Sequence, residues 1–287
     1  MSKNNDVKAQ SLKIPKIILI TAKFLEVISP KFATLFAAKL FTTPIKYKIP
    51  KREFHMDSES EQNTLLIPSI NKEIVMYHYG RGEKKALLVH GWSGRGTQLV
   101  KIADELVRNG YSVVSFDAPA HGKSKGNSSI MIEFTASILE IEKQYGTFEI
   151  AIGHSLGGMS ILNAIKQKLQ IKKAVIIGSG DIIQDIIDNF ILNLKLKPNI
   201  SIRLRDYFED KYQEKMENYA ASFAAKEVKI PVLVIHDLND EDVDVKAAHN
   251  IKENLVTSEI MVTEGLGHRK ILGNKEVINR IVEFIKK

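Results

Sequence analysis

At 287 residues, 44% hydrophobic and 26% charged, the chain can bury a full core and has the make-up of a soluble globular protein. It contains no cysteine, which excludes disulfides, thiolate nucleophiles and Cys-ligated zinc or iron–sulfur centres and leaves the compartment open. Of its 41 Lys/Arg and 34 Asp/Glu, residues 1–52 hold 11 and 2, leaving 30 against 32 for the remainder; the net charge of +7 belongs to the N-terminal segment, and no nucleic-acid partner is expected.

Residues 1–11 are polar and read as loose. From Ile14 to Ile28 the chain is strongly apolar, with Lys16, Lys23 and Glu26 on one narrow helical stripe. Ser29-Pro30 then reads as an N-cap followed by Pro at the first helical position, opening a second helix with Phe32, Leu35, Phe36, Leu40 and Phe41, which Pro44 stops. Neither run reaches the roughly 18 uninterrupted apolar residues of a membrane span, because Lys23 and Lys31 intervene. A cleaved leader fits less well, since Lys23 interrupts the run and no small-x-small site follows. Two readings remain for residues 14–41: a helical pair packed on the body, which their wide apolar faces favour, and a basic amphipathic anchor on an anionic membrane surface. The expected location is cytoplasmic, or peripheral on the inner membrane surface. The domain division expected is a basic amphipathic helical segment over 1–50 and a body over 51–287.

From about Lys46 to Tyr79 the pattern is extended, and Glu53–Met56, Thr64–Ile67 and Glu73–Tyr79 read as antiparallel strands. Strands and helices then alternate: strand Ala86–His90, helix 97–108, strand Ser112–Phe116, helix 129–144, strand Phe148–Ile152, helix 156–169 and strand Ala174–Ile177. After residue 227 the alternation resumes with strand Val232–Ile235, helix 245–255, strand Glu259–Val262 and helix 276–286. Strands this apolar are buried on both faces, so the alternation predicts an α/β fold with a mostly parallel central sheet flanked by helices and ligands at the strands' carboxyl ends. Between about 179 and 227 the alternation breaks into helical patterns: Ile182–Leu194, a Pro198-Asn199 break, then a charged run over 203–226. This insertion is expected to form a helical cap over the carboxyl edge; the plainer alternative is a long crossover helix pair.

The chemistry centres on Gly153-His154-Ser155-Leu156-Gly157, at the junction of an apolar strand and an amphipathic helix. It fits the G-x-S-x-G elbow, in which the serine occupies a strained turn and its hydroxyl projects above the sheet. Glycine is needed two residues either side because the two backbones cross too closely for a β-carbon. Ser155 is also expected to cap the helix, where free N–H groups and the dipole favour negative charge. An ordinary Gly-rich βα turn is the competing reading.

Other parts follow in a consistent order. His90-Gly91-Trp92-Ser93-Gly94-Arg95-Gly96 is a Gly-rich turn after a strand, and an oxyanion hole needs two fixed N–H groups, here assigned to Leu156 and Trp92. Asp117-Ala118-Pro119-Ala120-His121-Gly122-Lys123-Ser124 follows the next strand; His236-Asp237-Leu238-Asn239-Asp240-Glu241-Asp242-Val243 and Glu264-Gly265-Leu266-Gly267-His268 follow later ones. Trp92 and His154 are the candidate pocket-wall residues, the alternative for each being core packing. Arg95 and Gln98 read either as binders of a polar substrate group or as exposed residues at a helix start. His90, His121 and His236 read as structural histidines. No H-E-x-x-H, P-loop or dinucleotide fingerprint is present, so no metal and no other cofactor is expected.

Together these five motifs resemble the α/β-hydrolase superfamily over about residues 72–287. The segments His90–Gly96 and Gly265–Arg269 are similar to a group of bacterial hydrolases, known mostly as assigned esterases, with an H-G-W-x-G-R-G oxyanion loop. The resemblance implies Ser155 as nucleophile, Asp240 as acid and His268 as base. Asp237, Asp242, Asp244 and Asp181 compete for the acid, and Asp237 stands where many relatives have Gly. The function expected is hydrolysis of a small-molecule carboxylic ester, with a small or medium apolar acyl chain, through an acyl-enzyme. A thioesterase, an amidase or peptidase and an acyltransferase share every residue named. A binding protein of the same fold, without catalysis, is the rival of another kind.

Overall fold

Eight strands form one sheet in the order β1-β2-β4-β3-β5-β6-β7-β8 in the computed structural model, which describes residues 14–287. They are β1 (Glu61–Ile67), β2 (Lys72–Tyr79), β3 (Lys84–Val89), β4 (Tyr111–Asp117), β5 (Phe148–His154), β6 (Ile171–Ile177), β7 (Val232–Asp237) and β8 (Ser258–Thr263). β2 pairs antiparallel with β1 and β4, and every other ladder is parallel. The reading of residues 1–11 as loose lies outside the described residues.

Two helices precede the sheet, α1 (Lys16–Ile28) and α2 (Pro30–Phe41), and Ser29 caps α2 by accepting from the Lys31 N–H, as its sequence predicts. The expected strand at 53–56 is instead a 3-10 turn, Lys51–Glu53, running into α3 (Phe54–Glu59). The reason is geometric: Glu53 and Met56 are both fully buried, and a helical turn puts residues three apart on one face, whereas a strand would put them on opposite faces.

The crossovers are α4 (Val100–Arg108), α5 (Met131–Tyr145) and α6 (Leu156–Lys166). The insertion holds α7 (Ile183–Asn193), α8 (Pro198–Tyr212) and α9 (Ala221–Ala225). Pro198 does not break a helix there; it opens α8 at the first position, where its missing N–H costs nothing. The chain closes with α10 (Lys246–Asn254), a single turn α11 (Gly267–Lys270) and α12 (Lys275–Lys286).

Alternate side chains of the central strands enter two cores, as a sheet covered on both faces requires. Leu87, Val89, Ala151, Val232 and Val234 pack with α5, α6, α9 and α10, while Ala86, Leu88, Ile150, Ile152, Leu233 and Ile235 pack with α4 and α12. A third apolar cluster joins Ala22, Ala33, Ala37 and Ala38 of α1 and α2 to Ile187, Ile191, Leu204 and Phe208 of α7 and α8. The inner faces of the N-terminal helices therefore pack on the insertion. Among the described residues no helix is long and apolar enough to cross a membrane.

Candidate active site

β5 meets α6 at Ser155, whose φ of 53° and ψ of −120° lie where a non-glycine residue is strained. The neighbouring glycines make this turn feasible. A β-carbon at Gly157 would stand 2.3 Å from the Val89 carbonyl oxygen, and one at Gly153 would stand 2.6 Å from the Gly157 carbonyl carbon. The Ser155 N–H is held by the Ile177 carbonyl at 2.9 Å. Although Ser155 occupies the N-cap position of α6, its side chain does not cap the helix, contrary to the sequence expectation. Among the described residues its hydroxyl makes no hydrogen bond, and Ser155 lines a cavity of about 950 Å³.

Above the serine lies the loop after β3. A β-carbon on Gly91 would come 3.0 Å from the Ser155 Cβ, a contact tight enough that glycine lets this loop approach the elbow without displacing it. Gln98 Oε1 accepts the Gly91 N–H at 2.9 Å, and the Gly94 N–H donates to the Gly91 carbonyl at 3.0 Å, closing a tight turn with Ser93 at φ 55°. Among the described residues the N–H groups of Trp92 and Leu156 donate to no protein acceptor. The Trp92 indole stands edge-on to His121, ring centroids 5.0 Å apart, and both Trp92 and Leu156 line the cavity.

The remaining motif residues on this side hold loops in place. The Ala118 N–H donates to His90 Nε2 at 3.0 Å, so the His90 proton must sit on Nδ1, which donates to the Gly91 carbonyl at 2.7 Å. Burial, and then the neighbouring His121, push the His90 pKa well below its ordinary value. Asp117 accepts from the N–H groups of Gly96 and Lys123, both at 2.6 Å, and from the Tyr77 hydroxyl at 3.0 Å. Arg95 is neither an exposed helix-start residue nor part of the cavity. It is buried and paired with Glu53 at 2.9 Å, and Thr97 donates to the same carboxylate oxygen at 2.8 Å. The sequence reading missed Glu53 because it placed that residue on a strand.

His268 lies on α11, with its Nδ1 2.7 Å from Asp240 Oδ2. The other oxygen, Asp240 Oδ1, accepts the N–H groups of Asp242 and Val243, each at 2.9 Å. A carboxylate only accepts, so in the neutral imidazole Nδ1 carries the proton and Nε2 the lone pair. The competing aspartates are each engaged elsewhere. Asp237 accepts from the N–H groups of Asn239, Leu266 and Gly267 and from the Thr263 hydroxyl, at 2.7 to 3.0 Å. Burial raises its pKa, but these four donors together hold it below the ordinary value. Asp181 accepts from the Ser222 N–H and from Asn250, Asp242 pairs with Arg269 at 2.9 Å, and Asp244 accepts the Lys246 N–H at 2.9 Å.

Two further residues frame His268. His154 is buried, and its Nε2 donates to the His268 carbonyl at 2.9 Å, with the two rings 4.6 Å apart. Burial, then His268 and Arg269, push the His154 pKa well below the ordinary value and keep it neutral. Gly178, which carried no signal in the sequence, has φ 56°; a β-carbon there would stand 3.3 Å from His268 Nδ1 and 3.5 Å from Asp240 Oδ2. The structure thus brings Ser155, Leu156, Trp92, His154 and His268 to one cavity, with Asp240 buried behind His268. The far wall comes from Leu40 and Phe41 of α2 and from Ile182, Ile186 and Phe190 of the insertion. Among the described residues no group of His, Asp or Glu is arranged to hold a metal ion.

A sheet antiparallel at one edge and parallel beyond it, with a serine on a strained βα turn and a histidine after the last strand, defines the α/β-hydrolase class. The model of the alpha/beta hydrolase fold family matches residues 87–230, half of the chain, and the protein belongs to that family. A 2-hydroxy-6-oxononadienedioate/2-hydroxy-6-oxononatrienedioate hydrolase of Escherichia coli K12 is 26% identical over an alignment covering 71% of this chain and 87% of that protein. Among solved structures, an esterase of Pyrococcus furiosus superposes with a TM-score of 0.65 at 16% identity, covering 85% of this chain and 97% of its own. An esterase of Exiguobacterium antarcticum gives 0.63 at 16% identity, covering 79% of this chain and 100% of its own. At these identities the structural likeness is one of fold.

Proposed function

We propose that the protein is a serine hydrolase of carboxylic esters that works through Ser155, His268 and Asp240. The observation that carries this reading is the 2.7 Å contact of His268 Nδ1 with Asp240 Oδ2, beside a strained serine on the same cavity. Ser155 Oγ attacks the ester carbonyl carbon while His268 Nε2 takes its proton, and the charge on the carbonyl oxygen falls on the N–H groups of Trp92 and Leu156. The carbon–oxygen bond to the leaving alcohol then breaks, and His268 returns the proton to that oxygen. Water, deprotonated by the same Nε2, attacks the acyl carbon; the bond from that carbon to Ser155 Oγ breaks, His268 returns the proton to Oγ, and the acid leaves. Asp240 holds the Nδ1–H tautomer throughout and stabilises the imidazolium. His154 does not exchange protons in this scheme; its bond to the His268 backbone fixes where the imidazole stands.

The wall chemistry supports a neutral substrate with an apolar acyl chain. Leu40, Phe41, Ile182, Ile186 and Phe190 offer apolar surface, and about 950 Å³ lies near the upper end of small-molecule sites, roughly 300–1,000 Å³. Medium-length chains therefore fit better than acetyl groups. Asp181, Asp185, Glu214, Asp242, Asp244 and Glu253 also line the cavity, against Lys246 and Arg269. That balance opposes a dianion of the kind named for the Escherichia coli relative. The bond cleaved is an oxygen ester rather than a thioester or amide, and residues 14–50 of the N-terminal segment serve as an accessory to the hydrolase body.

Labelling with a fluorophosphonate probe, wild type beside Ser155→Ala, tests the reading directly. Modification at Ser155 together with turnover of p-nitrophenyl esters that rises from acetyl to medium chains is the expected result. Folded wild type that neither labels nor turns over any ester would sink it and leave a non-catalytic binding protein of this fold.

A further inference from the structure

The hydrolase site leaves the outer face of α1 and α2 unused. On α1, Ile17, Ile20, Phe24, Val27 and Ile28 are 53% to 85% exposed. Their spacing of three, seven, ten and eleven residues from Ile17 places them in one stripe about 100° wide. On α2, Phe32 and Leu35 are also exposed. Of 19 exposed large apolar side chains among the described residues, nine fall between Ile17 and Tyr47, so this is a patch and not the usual scatter.

The charge around the patch is of one sign. Lys16 and Lys23 border the α1 stripe, and Lys31 and Lys39 share the exposed face of α2 with Phe32 and Leu35. Lys46, Lys48, Lys51 and Arg52 follow, all exposed. Among the described residues up to Glu53 the acids are already engaged: Glu26 bonds Lys23 and the Lys197 N–H, and Glu53 is buried with Arg95. Lys16, Lys31, Lys39, Lys48 and Lys51 have no ion-pair partner among the described residues.

We propose that this face docks on an anionic membrane surface, with the apolar stripe of α1 at the level of the acyl chains and the lysines against the lipid phosphates. Long lysine stems can lie along the apolar stripe while their ammonium groups reach the headgroups. A second copy of the chain fits the face poorly, because a two-fold contact would set its lysines against their own copies. The helices are also too short and too charged to enter the bilayer across its width. α2 ends at the cavity, where Leu40 and Phe41 form wall, so a docked chain would hold that wall next to the lipid surface.

The test is co-sedimentation of the full chain with phosphatidylcholine vesicles, with and without phosphatidylglycerol. The expected result is binding to the anionic vesicles at least roughly tenfold tighter than to the neutral ones, weakening as salt is raised. Phe24→Asp with Val27→Asp should reduce that binding by a further order of magnitude or so without moving the melting temperature, since both side chains already face solvent. Lys31→Glu with Lys39→Glu, on the other helix, should do the same and stands in if the first variant proves unstable. Ser155→Ala should bind like wild type, so the outcome is independent of whether the serine is a nucleophile. A full chain that stays in the supernatant with both vesicles, or binds both equally, overturns the proposal. So does a dimer in size-exclusion chromatography that Phe24→Asp with Val27→Asp dissolves.

Discussion

The loops at the carboxyl ends of the strands and the helices that roof them are held by different forces. In the loops, Asp117, Asp237, Asp240 and His90 each bind two or more specific partners, and most of those partners are backbone N–H groups. In the roof, α2, α7 and α8 meet through Ala33, Ala37, Ile187, Ile191, Leu204 and Phe208. Hydrogen bonds are directional and fix atoms to a few tenths of an ångström, as reacting groups require; apolar packing rewards only area and volume. One region therefore fixes the positions of individual side chains, and the other sets the outline of the cavity.

Several substitutions would break or sharpen that contrast. The largest effect is expected from Asp240→Asn, which keeps the loop's shape but reverses the tautomer preference of His268. Ester kcat/KM should fall on the order of 10⁴-fold with an unchanged melting temperature, and near-normal turnover would show that another carboxylate serves. Next comes Glu53→Ala, which strands Arg95 as an unpaired buried charge. Urea unfolding should report a loss of about 3–5 kcal/mol, while a loss under 1 kcal/mol would mean that water reaches the guanidinium.

A third effect comes from the buried imidazoles. Burial pushes the His121 pKa down to about 4, and His90 and His154 are displaced in the same direction. The unfolded chain binds protons at these sites that the folded chain refuses, so stability is full above about pH 6.5 and is lost as the pH falls toward 4. His121 alone should cost about 2 kcal/mol between pH 7 and pH 5, read as a lower urea midpoint; a flat profile over that interval would contradict its neutral burial. The smallest effect belongs to the roof. Phe190→Ala should shift the preferred acyl-chain length and raise KM several-fold while leaving kcat nearly unchanged, whereas an equal fall in kcat would make the roof part of the chemistry.

The two regions also differ in how well a sequence discloses them. Ser155, Leu156, Trp92 and His268 are legible because each lies in a glycine-marked turn at the end of an apolar strand, and the turn has chemistry of its own. Which aspartate faces His268 is not legible from residue order. Asp237, Asp240, Asp242 and Asp244 occupy one short loop, and only the backbone path sends Asp237 to the N–H groups of Leu266 and Gly267 and Asp240 to the imidazole. Residues 53–56 are misread because four residues are too few to separate a period of two from one of 3.6. Gly178 reads as an ordinary turn glycine, since its neighbours His268 and Asp240 are more than sixty residues away in the chain. The outline of the roof was visible as a break in the alternation, but its packing partner, α2, lies at the other end of the sequence.

That last arrangement has a consequence during synthesis. The cavity wall combines Leu40 and Phe41 with His268 and Arg269, so it joins residues more than 220 positions apart in the chain. A ribosome adding about 5–20 residues per second makes the first pair roughly 10 to 45 seconds before the second. For the earlier part of that interval, until α8 has been made, the inner faces of α1 and α2 have no α7 or α8 to pack on. On the proposed mechanism, a nascent chain released before His268 is made would turn over no ester.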